Sequence, residues 1–404
     1  MPRVKNPLVF IFITVLIDCI GIRIIYPVAA TIVAEVSHVS VNEAITYSGW
    51  IMACYAAMQF IFSPLLGSLS DRYGRRPVLL LSLFGLVINY IFLALANTLP
   101  LLFMGRIITG ICGASLSTSY AYVADISVPE KRAQNFGIIG AAIGLGFIIG
   151  PFIGGMFSEL GTRAPFIAAA CLSFLNWLYG FFILPESLKP ENRRAFDIRR
   201  ANPFGAFMQL KNNRRIRTLM LVLFLIFMAG QVMPSIWPFY TKYLYHWSDL
   251  EIGYSLAFVG LMVALVKGGL IQWSQQKFGS VKSVYLGLLF HFTGLLLFAW
   301  ADQAWMAYAF TLVYCLGGIA PPSLQGIISG RVPDNEQGEL QGIITSLMSI
   351  SNIVSPLIMS HLFAFFTSET STVHFPGAAF ALAALAVFAA FMLCLWKLKK
   401  VVPA

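Results

Sequence analysis

Charged residues are scarce in this chain. They form 11% of its 404 residues against 58% hydrophobic, too little polar surface to cover a soluble globule. The short motifs of nucleotide-driven and hydrolytic chemistry are also missing. There is no P-loop, no HExxH, no GxSxG and no CxxC pair, so ATP-driven pumping and hydrolysis lack their parts. No filter loop or multi-subunit pattern points to a channel. The six cysteines (Cys19, Cys54, Cys112, Cys171, Cys315, Cys394) all fall in apolar stretches and read as small buried hydrophobes. They supply neither a disulfide framework nor a metal site.

What is present in quantity is apolar sequence in membrane-length pieces. About 20 apolar residues cross the hydrocarbon of a bilayer as a helix, and such stretches recur at 8–33, 46–69, 78–97, 99–125, 134–158, 164–183, 216–241, 250–275, 281–300, 303–329, 338–365 and 375–396. The expected fold class is therefore all-α integral membrane, with twelve transmembrane helices. A barrel would show short alternating strands instead. The first span has a basic start but no small-residue cleavage site, which separates it from a signal peptide.

The net charge of +10 is a topology signal and gives no reason to expect nucleic acid. With the N-terminus in the cytoplasm, Arg3, Lys5, Arg72, Arg75, Arg76, Lys131, Arg132, Lys277, Lys282, Arg331, Lys397, Lys399 and Lys400 fall on that side. The outer loops then keep only Arg163 and Lys242. This positive-inside bias places both termini in the cytoplasm.

The only long polar stretch runs from Glu186 to Arg217 and carries six arginines before its last residue. It divides the chain into an N-terminal six-helix bundle (1–185), a cytoplasmic linker (186–217) and a C-terminal six-helix bundle (218–404). Four landmark pairs share one offset of 205 positions: Gly74 and Gly279, Gly113 and Gly318, Gly137 and Gly342, Pro151 and Pro356. A common offset near half the chain length points to duplication and to two pseudo-symmetric halves. Transporters built from repeats bind substrate between them and rock around it.

The loop after the second span reads Gly67-Ser-Leu-Ser-Asp71-Arg72-Tyr-Gly74-Arg75-Arg76-Pro77. It resembles the signature loop of the major facilitator superfamily, with Gly67 expected to allow close helix contact and the arginines to hold the loop at the anionic inner leaflet. Gly105-Arg106-Ile-Ile-Thr-Gly110 is similar to that family's buried-arginine motif. Gly146-Phe-Ile-Ile-Gly150-Pro151-Phe-Ile-Gly154-Gly155 resembles its antiporter-type helix-packing motif. The stretches around Asp18, Ala124-Asp125, Gly317 to Gly326 and Glu336 to Gly342 narrow the resemblance to the tetracycline/proton antiporters. Two departures stand out. Those exporters carry a small residue where Arg23 stands, and a histidine and glutamine where Val263 and Lys267 stand here.

Asp18 is the one acidic residue near the middle of a span. A carboxylate at that depth is costly unless paired, hydrated or protonated. The resemblance puts Arg106 opposite it, so Asp18 reads as the proton carrier with Arg106 tuning it; the other reading is a static buried pair. Asp125, Asp71 and the basic loop read either as a gate latch or as a solvated helix end. Arg23 and Lys267 either face the cavity, which would suit an anionic substrate, or snorkel to the two interfaces. Tyr55, Gln59, Tyr120 and Gln325 are the remaining cavity candidates, with Tyr122, Trp237 and Tyr240 as further aromatic walls.

The resemblance implies a proton-coupled secondary transporter of a small organic molecule, working by alternating access in the bacterial inner membrane. The primary expectation is an exporter, by proton antiport, of a drug-like, amphipathic or anionic metabolite. The alternative is a proton-coupled importer of an anionic nutrient or siderophore. The chain is expected not to be an enzyme. Its partners are a small-molecule substrate and the lipid bilayer, with protons as coupling ion, no other cofactor and no metal, and the protein acts as a monomer.

Overall fold

A computed structural model describes residues 7–113, 115–193, 216–332 and 337–398. Most of the expected linker, both chain ends and Glu336 lie outside the described residues. Regular structure among those described is helical throughout. This follows from the solvent, since inside hydrocarbon a helix satisfies every backbone N–H and C=O within one segment.

The chain divides into two compact units, and two helices are split between them. One unit comprises Met1–Val39, Cys54–Pro203 and Ser248–Ala257; the other comprises Ser40–Ala53, Phe204–Trp247 and Phe258–Ala404. In the first unit, α1 (Pro7–Arg23) packs against α7 (Pro129–Ser158) and α8 (Ala164–Ile183). The helix α4 (Arg75–Leu95) packs against α8, α5 (Leu99–Cys112) and α6 (Ser115–Ile126). The short α2 (Ala29–Ser37) and most of α3 (Val41–Tyr73) complete this unit.

In the second unit, α9 (Arg217–Gly230) and α10 (Val232–Tyr245) precede α11 (Asp249–Leu265), whose first half belongs to the other unit. A π-helical turn (Val266–Leu270) leads into α12 (Ile271–Ala299), followed by α13 (Ala304–Leu316), α14 (Ala320–Ser329), α15 (Gln337–Thr367) and α16 (Ala378–Leu398). Its core is aromatic. Trp237, Tyr240, Phe298 and Phe380 are fully buried, with ring centroids 4.9–6.4 Å apart, and the Tyr240 hydroxyl donates to the carbonyls of Phe298 and Ala301. Trp237 and Tyr240, expected on a cavity wall, are thus core residues. Tyr122 is fully buried too, donating to the Pro185 carbonyl.

Among the described residues, ten helical segments are long and apolar enough to span a bilayer. The difference from twelve arises at two places. Pro7–Arg23 has 17 residues before the chain turns into α2. Asp249–Ala299 is a single segment of 51 residues, about 75 Å at the helical rise and more than twice the hydrocarbon thickness. Its kink falls at Gly279, where φ is +78°.

The 205-residue offset reappears in the backbone. Gly74 (φ +107°) and Gly279 are both left-handed, Pro151 and Pro356 both lie inside long helices, and Gly113 and Gly318 both lie at helix breaks. A repeat the sequence reading missed sits at the helix starts. Ser40 and Glu43 bond reciprocally ahead of α3, and Ser248 and Glu251 do the same ahead of α11. Each capping box follows a left-handed histidine, His38 or His246.

Candidate functional site

The first unit holds Asp18, which at 3% exposure is the only buried carboxylate among the described residues. Its partner is Ser115, whose hydroxyl donates to Asp18 Oδ2 at 2.5 Å. Why that contact forms can be followed along the chain. The helix α5 stops at Cys112 and α6 restarts at Ser115, so the break at Gly113 brings the N-terminal turn of α6 beside the carboxylate. A helix N-terminus presents free N–H groups and the positive end of its dipole, and both favour a negative charge.

Arg106, expected to tune Asp18, makes no ion pair with it, against the alternative reading of a static pair; the three ion pairs among the described residues lie elsewhere. The carboxylate is turned to the start of α6, and Arg106 belongs to α5 before the break. The same unit holds buried side-chain atoms without hydrogen-bond partners among the described residues: Thr14 Oγ1, both amide atoms of Asn89, the Tyr90 hydroxyl, Thr118 Oγ1 and Ser119 Oγ.

The register of α1 is set by α7. A Cβ at Gly146, Gly150 or Gly154 would collide with Cys19, Arg23 or Ile24 respectively, so the three glycines at i, i+4 and i+8 form the groove that receives the end of α1. On the neighbouring face, Gly155 and the carbonyl of Pro151 meet Gly253 near the start of α11. Thr31 on α2 donates to both oxygens of Asp249 in the same first turn. The motif is thus a two-faced packing element, holding the helix of Asp18 on one side and α11 on the other.

Arg23 leaves α1 on a different face from Asp18, five residues away. Its guanidinium lies 3.6 Å from the Phe147 ring centroid and 4.7 Å from that of Tyr26. Tyr55 and Gln59 line α3 where it meets α5, since a Cβ at Gly110 would strike the backbone of both. Tyr55 lies within electrostatic reach of Tyr26, Arg23, Arg106 and Asp18. Tyr120 is partly exposed and sits edge-on to Phe136 at 5.7 Å.

At the signature loop the charges assemble around Arg75. Its side chain is buried and donates to Asp71 Oδ1, to Ser70 Oγ at 2.7 Å and to Asp125 Oδ2 at 3.0 Å. Ser187 donates to the same Asp125 oxygen. Asp125, read in two ways from sequence, therefore joins the loop network. Glu186 completes it. Its carboxylate accepts from the backbone N–H of Arg75 (2.8 Å), Arg76 (3.2 Å) and Leu188 (3.0 Å), capping the start of α4. Gly74 is required twice over, by its positive φ and because a Cβ there would overlap the Glu186 carboxylate.

One loop expectation changes. Gly67 has open space where a Cβ would stand, so it serves no close helix contact; its carbonyl accepts from Ser70 Oγ. Arg76 donates to the Phe181 carbonyl. Arg72 is exposed over the Tyr73 ring. Glu186→Ala removes the cap of α4 and is expected to cost about 1 kcal/mol, read as a lower melting temperature in detergent than Glu191→Ala, which removes an exposed carboxylate nearby. Equal melting of the two variants would show that the cap is not stabilising.

In the second unit, Lys267 lies in the π-helical turn and is exposed, and Gln325 is half-buried on α14. π-turns concentrate at functional positions. The equivalent of the charged loop keeps the left-handed glycine, Gly279, but has Gln276 and Ser280 at the offsets of Asp71 and Arg75. Sequence reading missed Ser115 and Glu186. The signal for Ser115 was the glycine two positions earlier; that for Glu186 was an acid at the end of the sixth span. Of the cysteines, Cys171 is exposed, against expectation, and all six are free.

The sequence profile described as Major Facilitator Superfamily matches residues 11–356. The class C tetracycline resistance protein of Escherichia coli is 38% identical over 360 residues, 89% of this chain and 90% of that one. The class H protein of Pasteurella multocida is 35% identical over 369 residues, with the same coverages. Among solved structures, the nucleoside transporter NupG aligns with a TM-score of 0.81 at 12% identity, covering 97% of this chain and all of that one. The human organic anion transporter MFSD10 aligns with a TM-score of 0.71 at 23% identity, covering 98% of this chain and all of that one. By these matches the chain belongs to the Major Facilitator Superfamily, as a multi-pass membrane transporter and not an enzyme.

Proposed function

We propose that this transporter exports a small organic molecule from the bacterial cytoplasm across the inner membrane in exchange for a proton taken up on Asp18. The observation that carries the reading is Asp18 itself, the single buried carboxylate among the described residues, held by a neutral hydroxyl at the start of a helix. A carboxylate fixed by a cation would hold its charge throughout a cycle. One held by a serine exchanges its proton at lower cost. The antiporter-type glycines on α7 and the tetracycline-resistance relatives support export over uptake.

In this reading the chain has twelve spans, counting α1 as the first and dividing 249–299 at Gly279, with both termini cytoplasmic. Residues 1–185 and 218–404 form the two bundles, joined by 186–217, and the protein acts as a monomer. The Asp71–Arg75–Asp125 network is a latch that is made and broken during the cycle, and Arg106 raises the positive potential near Asp18 without pairing to it. Arg23 and Lys267 set the substrate apart from tetracycline.

The test is made on the purified protein in liposomes containing a pH-sensitive dye, with known orientation. Adding a transported compound to the cytoplasmic face is expected to move protons the opposite way to the compound. Movement of both in one direction would sink exchange and select the uptake reading.

A further inference from the structure

We infer that Arg23 is a specificity-determining residue that binds a carboxylate group of the transported molecule, so that the substrate is an organic anion. This rests on the transporter reading above and names the chemistry of its substrate.

Arg23 carries a charge with no acidic partner among the described residues. Arg23 stands at the end of α1, half-buried, in a segment read as membrane-spanning. Arginine stays protonated under all conditions the protein meets, so it must be compensated by something other than losing its proton. Among the described residues no carboxylate comes within ion-pair distance of it. The nearest acid in sequence, Asp18, is turned to Ser115. What Arg23 has instead is a pair of ring faces, Phe147 and Tyr26. Cation–π contacts compensate a guanidinium less fully than a paired carboxylate does. The balance is left for a ligand.

The geometry also says which ligand. A guanidinium held over ring faces spends none of its N–H donors on an acid, and its planar fork matches the two oxygens of a carboxylate. Its position is fixed from behind, because Gly150 lets α7 close against the Arg23 stem and carries Phe147 to the guanidinium. Arg106 is a second guanidinium with no acidic partner among the described residues, and Tyr55 lies within electrostatic reach of both. Two guanidiniums against one carboxylate, which already has its own donor in Ser115, make this part of the unit net positive. A cationic drug would meet repulsion here, and a neutral one would leave Arg23 uncompensated.

The experiment uses the full-length protein and four probes: citrate, its trimethyl ester, salicylate and tetraphenylphosphonium. Binding is measured calorimetrically in detergent and exchange in liposomes. Wild type is expected to bind citrate or salicylate at least tenfold more tightly than the ester or the lipophilic cation. Arg23→Gln is expected to lose that preference, Arg23→Lys to recover part of it, and Phe147→Leu to keep the charge while weakening binding by a smaller factor. The ester comparison needs no variant, so it stands even if substitution at Arg23 impairs folding. Preference for the ester or the cation, no anion binding at all, or an Arg23→Gln variant with unchanged anion preference would each overturn the inference. Anion binding without proton-linked movement would leave the anion site standing and reject the transporter reading. Proton-linked movement of tetraphenylphosphonium alone would do the reverse.

Discussion

Asp18→Asn is expected to remove uphill transport while leaving the fold and substrate binding in place. A proton crossing 100 mV supplies about 2.3 kcal/mol, roughly a fiftyfold concentration ratio across the membrane. Without a group to carry that proton, the variant can only equilibrate its substrate, and in vesicles energised by a pH gradient alone the ratio falls to about one. Asparagine has the shape of aspartate and still accepts the Ser115 hydrogen bond through its carbonyl, so the melting temperature is expected to hold or rise as a buried charge is removed. Accumulation in energised vesicles, proton release in detergent and melting are the three readouts. Ser115→Ala disturbs the same centre from the other side and is expected to weaken coupling less than Asp18→Asn, since the carboxylate remains. Wild-type accumulation by Asp18→Asn would reject Asp18 as the carrier and turn attention to Asp125, the other acid at the α6 end of the loop network.

The second large effect is a sign reversal within one helix. Gly140 and Gly154 both lie in α7, fourteen residues apart. Beside Gly140 there is open space; at Gly154 an added methyl would run into the backbone of Ile24, where α1 ends. Gly140→Ala should therefore stabilise, by up to about 1 kcal/mol, because alanine loses less backbone freedom in a helix. Gly154→Ala should destabilise by about 1–3 kcal/mol, since the obstacle is main chain and cannot swing away. Transport should suffer as well, because the same contact sets the register of Arg23 and Asp18. Thermal melting of the two variants side by side decides the matter, and equal shifts would show that the α1–α7 groove has more slack than its geometry implies.

Some of this was legible in the order of residues and some was not. The apolar spans, the repeat offset and the signature loop were readable because bilayer thickness and local motifs act on contiguous sequence. Glycine spacing on α7 announced a packing face but not its two partners. The same limit applies to Arg106. A buried acid and a buried base were visible, and pairing them was reasonable, but which donor reaches Asp18 depends on where α5 breaks and where α6 restarts.

By itself the sequence determined a membrane-embedded helical chain, the recurrence of its landmarks at a 205-residue offset, its superfamily, and Asp18 as the acid near the middle of a span. Those properties follow from hydropathy and chain-local pattern, which every residue carries with it. The tertiary structure decided that Ser115 holds Asp18, that Glu186 caps the helix after the left-handed Gly74, that Asp125 joins Arg75, and that Arg23 rests on aromatic rings with no counter-charge among the described residues. Each of these joins residues separated by tens of positions or more, or depends on the direction in which a side chain leaves its helix, and both are fixed only when the helices pack.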